Sequence, residues 1–439
     1  PARHSGVQLA ADVASPVAAG ALGGLLALFN PVALLPAAPL LLLWLLAPQI
    51  ALLIGRPRES RVQPLAPGQR AFLRQLARRT WLFFETFVGP DDNWLPPDNF
   101  QEEPYREVAH RTSPTNIGML LLSTLAAADL GYIGSSDLAT RIRRCLDTLA
   151  RLECYRGHWL NWYDTRLLRP LEPRYVSTVD SGNLALSLLT LQRGCLEYAD
   201  GPALFEQLWS GLDDGLGLLR GALAVVEDVE VAADLDTFAR FTRHVRDQTV
   251  PLNVLEDQAQ RLRDAVGRAI ARQSGLSVQQ LKEIQVWLER VAHHLLEIHR
   301  DRERLQPWAR LLEAPPPATA GLAQQLAGLL PASLPMLRIE HACREAGALL
   351  QRFAAGSAET TDWLGQLQNA LDIGCEAQQG LRQSLLEDAA RAAEMAWAMD
   401  FRLLYDQESR LFHIGYNLSA DRIDSHHYDL LATEARLAS

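Results

Sequence analysis

The chain has 439 residues, more than one ordinary domain needs; 48% are hydrophobic, 21% charged, and the net charge is −10. That acidic balance argues against a concentrated basic face, and so against a nucleic-acid partner. Ala and Leu dominate while β-branched residues thin out after residue 60, a mixture that predicts an all-α class. The five cysteines (Cys145, Cys154, Cys195, Cys343, Cys375) are scattered and form no CxxC. They predict neither structural disulfides nor a zinc site, and they fit a reducing compartment.

Between Asp12 and Arg56 the chain carries no charge. Two apolar stretches, Ser15–Phe29 and Val32–Ile54, are separated by Asn30-Pro31, the break expected of a tight hairpin. The second can cross a hydrocarbon core, which takes about 20 residues, and Gly20, Gly23 and Gly24 offer close packing to the first. A cleaved signal peptide fits less well, because the tract is long and lacks a basic leader region. Arg56, Arg58 and Arg61 follow the tract, against one Arg before it, so the bulk of the chain is expected to face the cytoplasm. Both ends read as cut: Pro1 stands where an initiator Met would, and Ser439 falls inside an expected helix. On that reading the chain is an internal piece of a larger membrane enzyme.

Residues 62–88 are predicted to form an amphipathic helix with Phe72, Leu73, Leu76, Trp81, Phe83, Phe84 and Phe87 on its apolar face, stopped by Gly89-Pro90. Apolar helices follow at about 115–131, 135–152 and 181–199, with N-caps expected at Asp137 and at Asp180 or Ser181. Residues 201–390 differ in character, being rich in Ala, Leu, Arg, Glu and Gln. There Leu281, Ile284, Leu288, Val291, Leu295 and Ile298 keep heptad spacing behind a Ser277/Gln280 capping box, which predicts a helical bundle. Ala314–Gly321 is expected to be a connection between helices. His293, His294 and His299 are expected on a solvated face, with no metal-binding geometry. A hairpin is predicted around Asp406–Arg410, with Leu403–Tyr405 and Leu411–Tyr416 as its arms, and a further helix from Asp429.

Four loops mix aromatic rings with hydrogen-bonding groups. Trp94, Asp98, Asn99 and Gln101 lie on the first, and Arg111, Thr112, Ser113 and Asn116 on the second. The third carries Trp159, Asn161, Trp162, Tyr163, Asp164 and Arg166, and the fourth Thr178, Asp180 and Asn183. Tyr416 and Tyr428 lie near the end of the chain. Sugars want this chemistry, a ring face to stack on and polar groups to satisfy the hydroxyls. Helix caps and loop-packing aromatics would use the same residues. Glu434 stands one turn inside the last expected helix, where an exposed glutamate is equally ordinary. Asp164, Asp180, Asp424 and Asp429 are the other carboxylates available for the pair that glycoside chemistry requires. No GxSxG, P-loop, dinucleotide fingerprint or zinc spacing is present.

Three segments carry a family likeness: RTSPTNIGMLLLSTLAAADLGYI (Arg111–Ile133), GHWLNWYDTRLLRPLEPRYVSTVDSGNLA (Gly157–Ala185), and the stretch Met399–Ser439, with MDFRLLYDQESRLFHIGYN and YDLLATEARLAS. They resemble the middle region of cyclic β-1,2-glucan synthases; the likeness covers essentially the whole chain and is loose across 201–390. It implies an N-terminal transmembrane hairpin (1–60), the first part of a glucoamylase-like (α/α)6 toroid (61–200), a helical insertion (201–390), and a truncated continuation of the toroid (391–439). It also implies a bacterial inner membrane, a UDP-glucose-dependent glycosyltransferase N-terminal to this region and a phosphorylase-like domain C-terminal to it. The activity implied is cyclisation of linear β-1,2-glucan by retaining transglycosylation. Glu434 falls on the glutamate of the family's (S/T)EAR motif, with Thr433 before it; it would serve as acid/base, the nucleophile role staying open. The partner glutamate belongs to a later motif absent from this chain. A β-1,2-glucan hydrolase and a non-catalytic, membrane-anchored glucan scaffold are the alternatives; no metal or cofactor is expected.

Overall fold

The computed structural model describes residues 6–54, 65–226, 228–247, 250–353 and 356–427. The chain divides into two compact units, Pro1–Ala66 and Pro67–Ser439. Glu434, Tyr428 and the helix expected from Asp429 lie outside the described residues.

In the first unit, α1 (Gly6–Phe29) and α2 (Leu34–Ile54) pack on one another, separated by a turn that Pro31 opens. A Cβ at Gly23 would meet Leu41 at 3.6 Å, whereas Gly20 and Gly24 face open space, so only one of the three expected small-residue contacts forms. The stretch Pro31–Ile50, with mean hydropathy 1.9 and no residue buried, is long and apolar enough to cross a membrane. The apolar part of α1, Ala14–Phe29, is shorter.

The second unit begins with α3 (Pro67–Phe87). Its expected apolar face is corrected by the structure. Trp81 turns inward with Arg78, whereas Phe72 (64% exposed), Leu73 and Leu76 face outward. Arg78 is only 2% exposed, and its guanidinium lies 5.5 Å from the Tyr132 ring and 5.4 Å from that of Trp287 while pairing with Glu85 at 3.0 Å. A cation paired and set on aromatic faces tolerates burial, so Arg78 joins Trp81 and Phe84 against the core while the N-terminal part of the expected apolar face turns outward.

Three helices then carry the loops of interest: α4 (Pro114–Asp129), α5 (Ser135–Leu149) and α6 (Thr178–Asp200). Their N-caps are Ser113, Gly134 and Ser177, not Asp137, Asp180 or Ser181. Ser113 Oγ accepts from the Asn116 N–H, and Ser177 Oγ from the Asp180 N–H, each at 3.2 Å. Both serines hold extended backbone, which sets the hydroxyl over the first turn, while Asp137 and Asp180 are already helical and meet the positive end of the helix dipole. At Gly134 a Cβ would lie 2.1 Å from the Asp301 carboxylate of a distant helix, so any larger residue requires that side chain to move.

The remaining helices among the described residues are α7 (Gln207–Leu223), α8 (Val229–Asp247), α9 (Leu252–Arg272), α10 (Val278–Leu305), α11 (Ala309–Glu313), α12 (Ala320–Leu329), α13 (Ile339–Arg352) and α14 (Ala358–Trp397). The capping box at Ser277 and Gln280 forms, and Ile284, Leu288, Val291, Leu295 and Ile298 are buried as the heptads demand. His293 is exposed as expected, but His294 and His299 are buried, which corrects the solvated reading for those two. The reason is that α10 packs on α7 and on α9, so more than one stripe of it turns inward. Ala314–Gly321 connects two helices as expected, running from the end of α11 through a 3-10 turn at Pro317–Thr319 into α12, which starts at Ala320.

The 40-residue α14 joins two cores. Trp363, Leu367 and Leu371 belong to a small one with Trp308, Leu326 and Ile339, and Leu381 through Ala396 to the main one. Its C-terminal half lies on α6 and α5, while α6 also packs on α4.

Among the described residues, eleven short strands stitch the loops: β1 (Phe100–Gln101), β2 (Glu107–Val108), β3 (Arg111–Thr112), β4 (Cys154–Tyr155), β5 (His158–Trp159), β6 (Tyr163–Asp164), β7 (Tyr175–Ser177), β8 (Tyr405–Asp406), β9 (Leu411–Phe412), β10 (Gly415–Asn417) and β11 (Arg422–Ile423). The predicted hairpin is β8–β9, but the chain beyond it departs to pair β10 with β7 and β11, and Leu403-Leu404 belong to a 3-10 turn.

Candidate functional site

Two antiparallel pairings set the site. β3 pairs with β6, placing Arg111 opposite Asp164, and β7 pairs with β10, placing Val176 opposite Tyr416. Since β3 runs into α4 and β7 into α6, the first turns of these two packed helices meet at one end. Asp98, from the first loop, is the hub. Its Oδ2 accepts from Arg111 Nε at 3.2 Å and Nη2 at 3.0 Å, and its Oδ1 accepts from Asn116 Nδ2 at 3.2 Å. The same guanidinium lies 4.9 Å from the Trp162 ring. One residue along, the Thr115 hydroxyl donates to Asp180 Oδ1 at 2.5 Å and accepts from Asn183 Nδ2 at 3.1 Å. Two linked polar groups thus meet on the first turn of α4, with Asp98, Trp162, Asp180 and Asn183 half-buried and Arg111 exposed.

The loop before Asp98 is held in unusual backbone. Asn93 and Trp94 have φ of 52° and 62°, a region non-glycine residues avoid and one that clusters at functional sites. Asn93 Nδ2 clamps it by donating to the carbonyls of Thr165 (2.8 Å) and Arg166 (3.1 Å). Beneath, buried Asp92 receives the Thr165 hydroxyl and lies 2.8 Å from His110 Nδ1. This Asp92–His110–Thr165 group was not picked out from sequence, since nothing in the spacing of 92, 110 and 165 announces it.

Other expected site residues have interior roles. Trp159 is buried, its Nε1 donating to the Leu149 carbonyl at 3.1 Å. Tyr163 is fully buried; its hydroxyl donates to the Glu153 carbonyl and accepts from the Leu160 N–H, both at 2.6 Å, and burial raises its pKa far above the usual range. Thr112 and Ser113 are buried, and Thr178 is buried with its hydroxyl on the His413 carbonyl. Asp164 Oδ1 accepts from the Arg166 and Leu167 N–H groups, closing a turn. Asn161 is half-buried, its N–H on the Tyr175 carbonyl. Asn99 lies beside Asp98, and Gln101 and Arg166 are exposed.

Tyr416 joins through the sheet. Its ring stacks on Tyr155 at 5.4 Å and 3°, and its hydroxyl donates to Asp421, a bond that, with the neighbouring Tyr155, raises its pKa. Asp424 is 3.4 Å from the Tyr175 hydroxyl, and the His426 backbone and ring, in that order, hold its carboxyl below the usual range. Chemically, the gathered groups offer a carboxylate pair, two amides, a guanidinium and an indole face at one end of a helical protein. That set suits a neutral polyhydroxylated ligand.

A helical protein with a polar, aromatic-edged site at shared helix N-termini is the class that fold and geometry define. No family model matches the chain. In sequence it is 35% identical, over 412 residues and 91% of its length, to the cyclic β-(1,2)-glucan synthase NdvB of Rhizobium meliloti. The chain is therefore a relative of one segment of a glucan synthase, and it spans 12% of that protein's length. Among solved structures, a Bacteroides fragilis protein assigned as a glucoamylase is similar over 36% of each chain, with 18% identity and a TM-score of 0.27. That likeness is too slight to argue from.

Proposed function

We propose that this chain is the part of a cyclic β-1,2-glucan synthase that holds linear β-1,2-glucan for ring closure by transglycosylation. The observation that carries the reading is the convergence of Asp98, Arg111, Asn116 and Trp162 with Thr115, Asp180 and Asn183 at the common end of α4 and α6. In this reading, helices α3 to α6 are the opening part of an (α/α)6 toroid, residues 201–390 an insertion, and 391–439 its continuation. Trp162 stacks on a glucose ring while Asp98, Asn116, Asp180 and Asn183 take hydroxyls. Glu434, seven residues after His427, acts as the acid/base group, and a hydroxyl of the chain's own end replaces water as acceptor. The 1–60 segment is a membrane hairpin, with the remainder on the cytoplasmic side. A glycosyltransferase would supply the linear chain and a phosphorylase-like domain would trim it.

The experiment is exchange of this chain for the matching segment of the Rhizobium meliloti synthase, in membranes given UDP-glucose. The expected result is ring product that falls by about 10²–10⁴ with Glu434→Gln, the range for loss of a general acid/base, while linear glucan still accumulates. Undiminished ring product would leave only a glucan-holding role and overturn the catalytic reading.

A further inference from the structure

The β8–β9 hairpin and the chain after β11 bring together Asp406, His413 and His427, with a carboxylate oxygen and one nitrogen from each imidazole all within 4.8 Å of one another. His427 Nε2 and Asp406 Oδ2 are 3.1 Å apart, and the two imidazole centroids 4.4 Å. Nδ1 of His413 is buried and has no hydrogen-bond partner. We propose that Asp406, His413 and His427 form a binding site for a divalent transition-metal cation, with zinc the favoured ion.

The donor set selects the ion. Two imidazoles and one carboxylate suit zinc and its neighbours, whereas calcium and magnesium want a shell of oxygens. Zinc donors sit about 2.0–2.2 Å from the metal, so neighbouring donors lie about 3.3–3.6 Å apart in a tetrahedron. The Asp406–His427 pair, at 3.1 Å, is already about that close, and a His413 nitrogen lies within 4.8 Å of both ligand atoms. The fourth position falls to water.

The surroundings hold the three ligands as a second shell does. Asp406 accepts from the Ser409 hydroxyl at 2.6 Å and from the Glu408 N–H at 2.9 Å. The His413 N–H donates to the Leu404 carbonyl at 2.9 Å, and its own carbonyl accepts from Thr178 at 2.6 Å. His413 and His427 face each other in an isolated antiparallel bridge, next to the Ile414 N–H on the His426 carbonyl. The neighbouring His426 pairs instead with Asp424 at 3.1 Å. The cation would clamp the hairpin to the point from which the chain leaves toward Glu434. This inference does not depend on the proposed activity.

The test uses the untagged 439-residue chain in detergent, loaded with zinc, dialysed, and counted by mass spectrometry of the metal. One zinc per chain is expected, as is visible absorption of four-coordinate type when cobalt(II) replaces it. His413→Ala and His427→Ala should each weaken binding at least about tenfold, while His341→Ala on an exposed helix face leaves it unchanged. Asp406→Asn, which keeps the hairpin turn, covers the case in which a histidine variant fails to fold. Wild-type protein that retains less than stoichiometric zinc, or binding that survives all three ligand substitutions, overturns the site.

Discussion

The loop-built end around Asp98 and the helical region from α7 to α14 hold their shape by different means. In the helical region the order is written locally: a capping box starts α10, and heptad residues Ile284, Val291 and Leu295 fill its core. At the loop end, ordering comes from partners far apart in sequence. Arg111 sits opposite Asp164, Tyr416 opposite Val176, and Asn93 bonds the carbonyls at 165 and 166. The contrast teaches that apolar burial carries the first region, whereas the second takes its shape from half-buried polar groups paired across distant segments.

The sharpest way to break this comparison is Leu295→Ala. With Leu295 about 1% exposed, the cavity should cost about 2–5 kcal/mol, read from urea unfolding, yet folded protein should bind linear β-1,2-glucan as before. An equal loss of glucan affinity would show that the two regions are not separable.

A smaller effect is expected from pH. Burial first, and then nearby Arg78, lowers the His294 pKa from 6.5 to about 3. A depressed histidine is neutral in the fold while the unfolded chain takes up a proton below 6.5. Its contribution is therefore complete above that value and is lost as pH falls toward 3, by about 2 kcal/mol at pH 5 relative to pH 7.5. His294→Leu should remove that share of the slope in unfolding free energy against pH; an unchanged slope would disprove it. Asp301, raised to about 6 by burial, works in the opposite direction, so the difference between variant and wild type is the quantity to read.

The smallest effect on stability belongs to the site. Asp98→Ala removes the acceptor shared by Arg111 and Asn116, and Arg111 is exposed enough that stability should move by no more than about 1 kcal/mol. Glucan affinity, measured by calorimetry, should fall by about tenfold, equal to about 1.4 kcal/mol. A large loss of stability with intact affinity would reassign the cluster to architecture.

Much of the helical layout was legible because it is local. The break at Asn30-Pro31, the helices after Ser113 and Ser177, and the α10 heptads all follow from capping, proline and periodicity. The direction α3 faces was not legible, since Arg78 is drawn inward by Tyr132, Trp287 and Glu85, residues up to 209 positions away. Nor could spacing tell Trp159 and Tyr163, sunk among backbone carbonyls, from Trp162, which stays half-buried beside Arg111. All three sit within five residues of one another. The Asp406, His413 and His427 group was invisible for the same reason: its gaps of seven and fourteen residues match no ligand spacing.

The sequence by itself determined the all-α class, the apolar tract, the order of the main helices and the polar-aromatic character of four loops, because hydrophobic period acts over a few residues. Only the tertiary structure decided which loop residues meet, which histidines are buried and which aromatics are spent inside. Strand pairings such as β7 with β10 and helix contacts such as α6 with α14 join positions some two hundred residues apart. No local preference encodes such a meeting; it follows from which apolar faces can be covered at once.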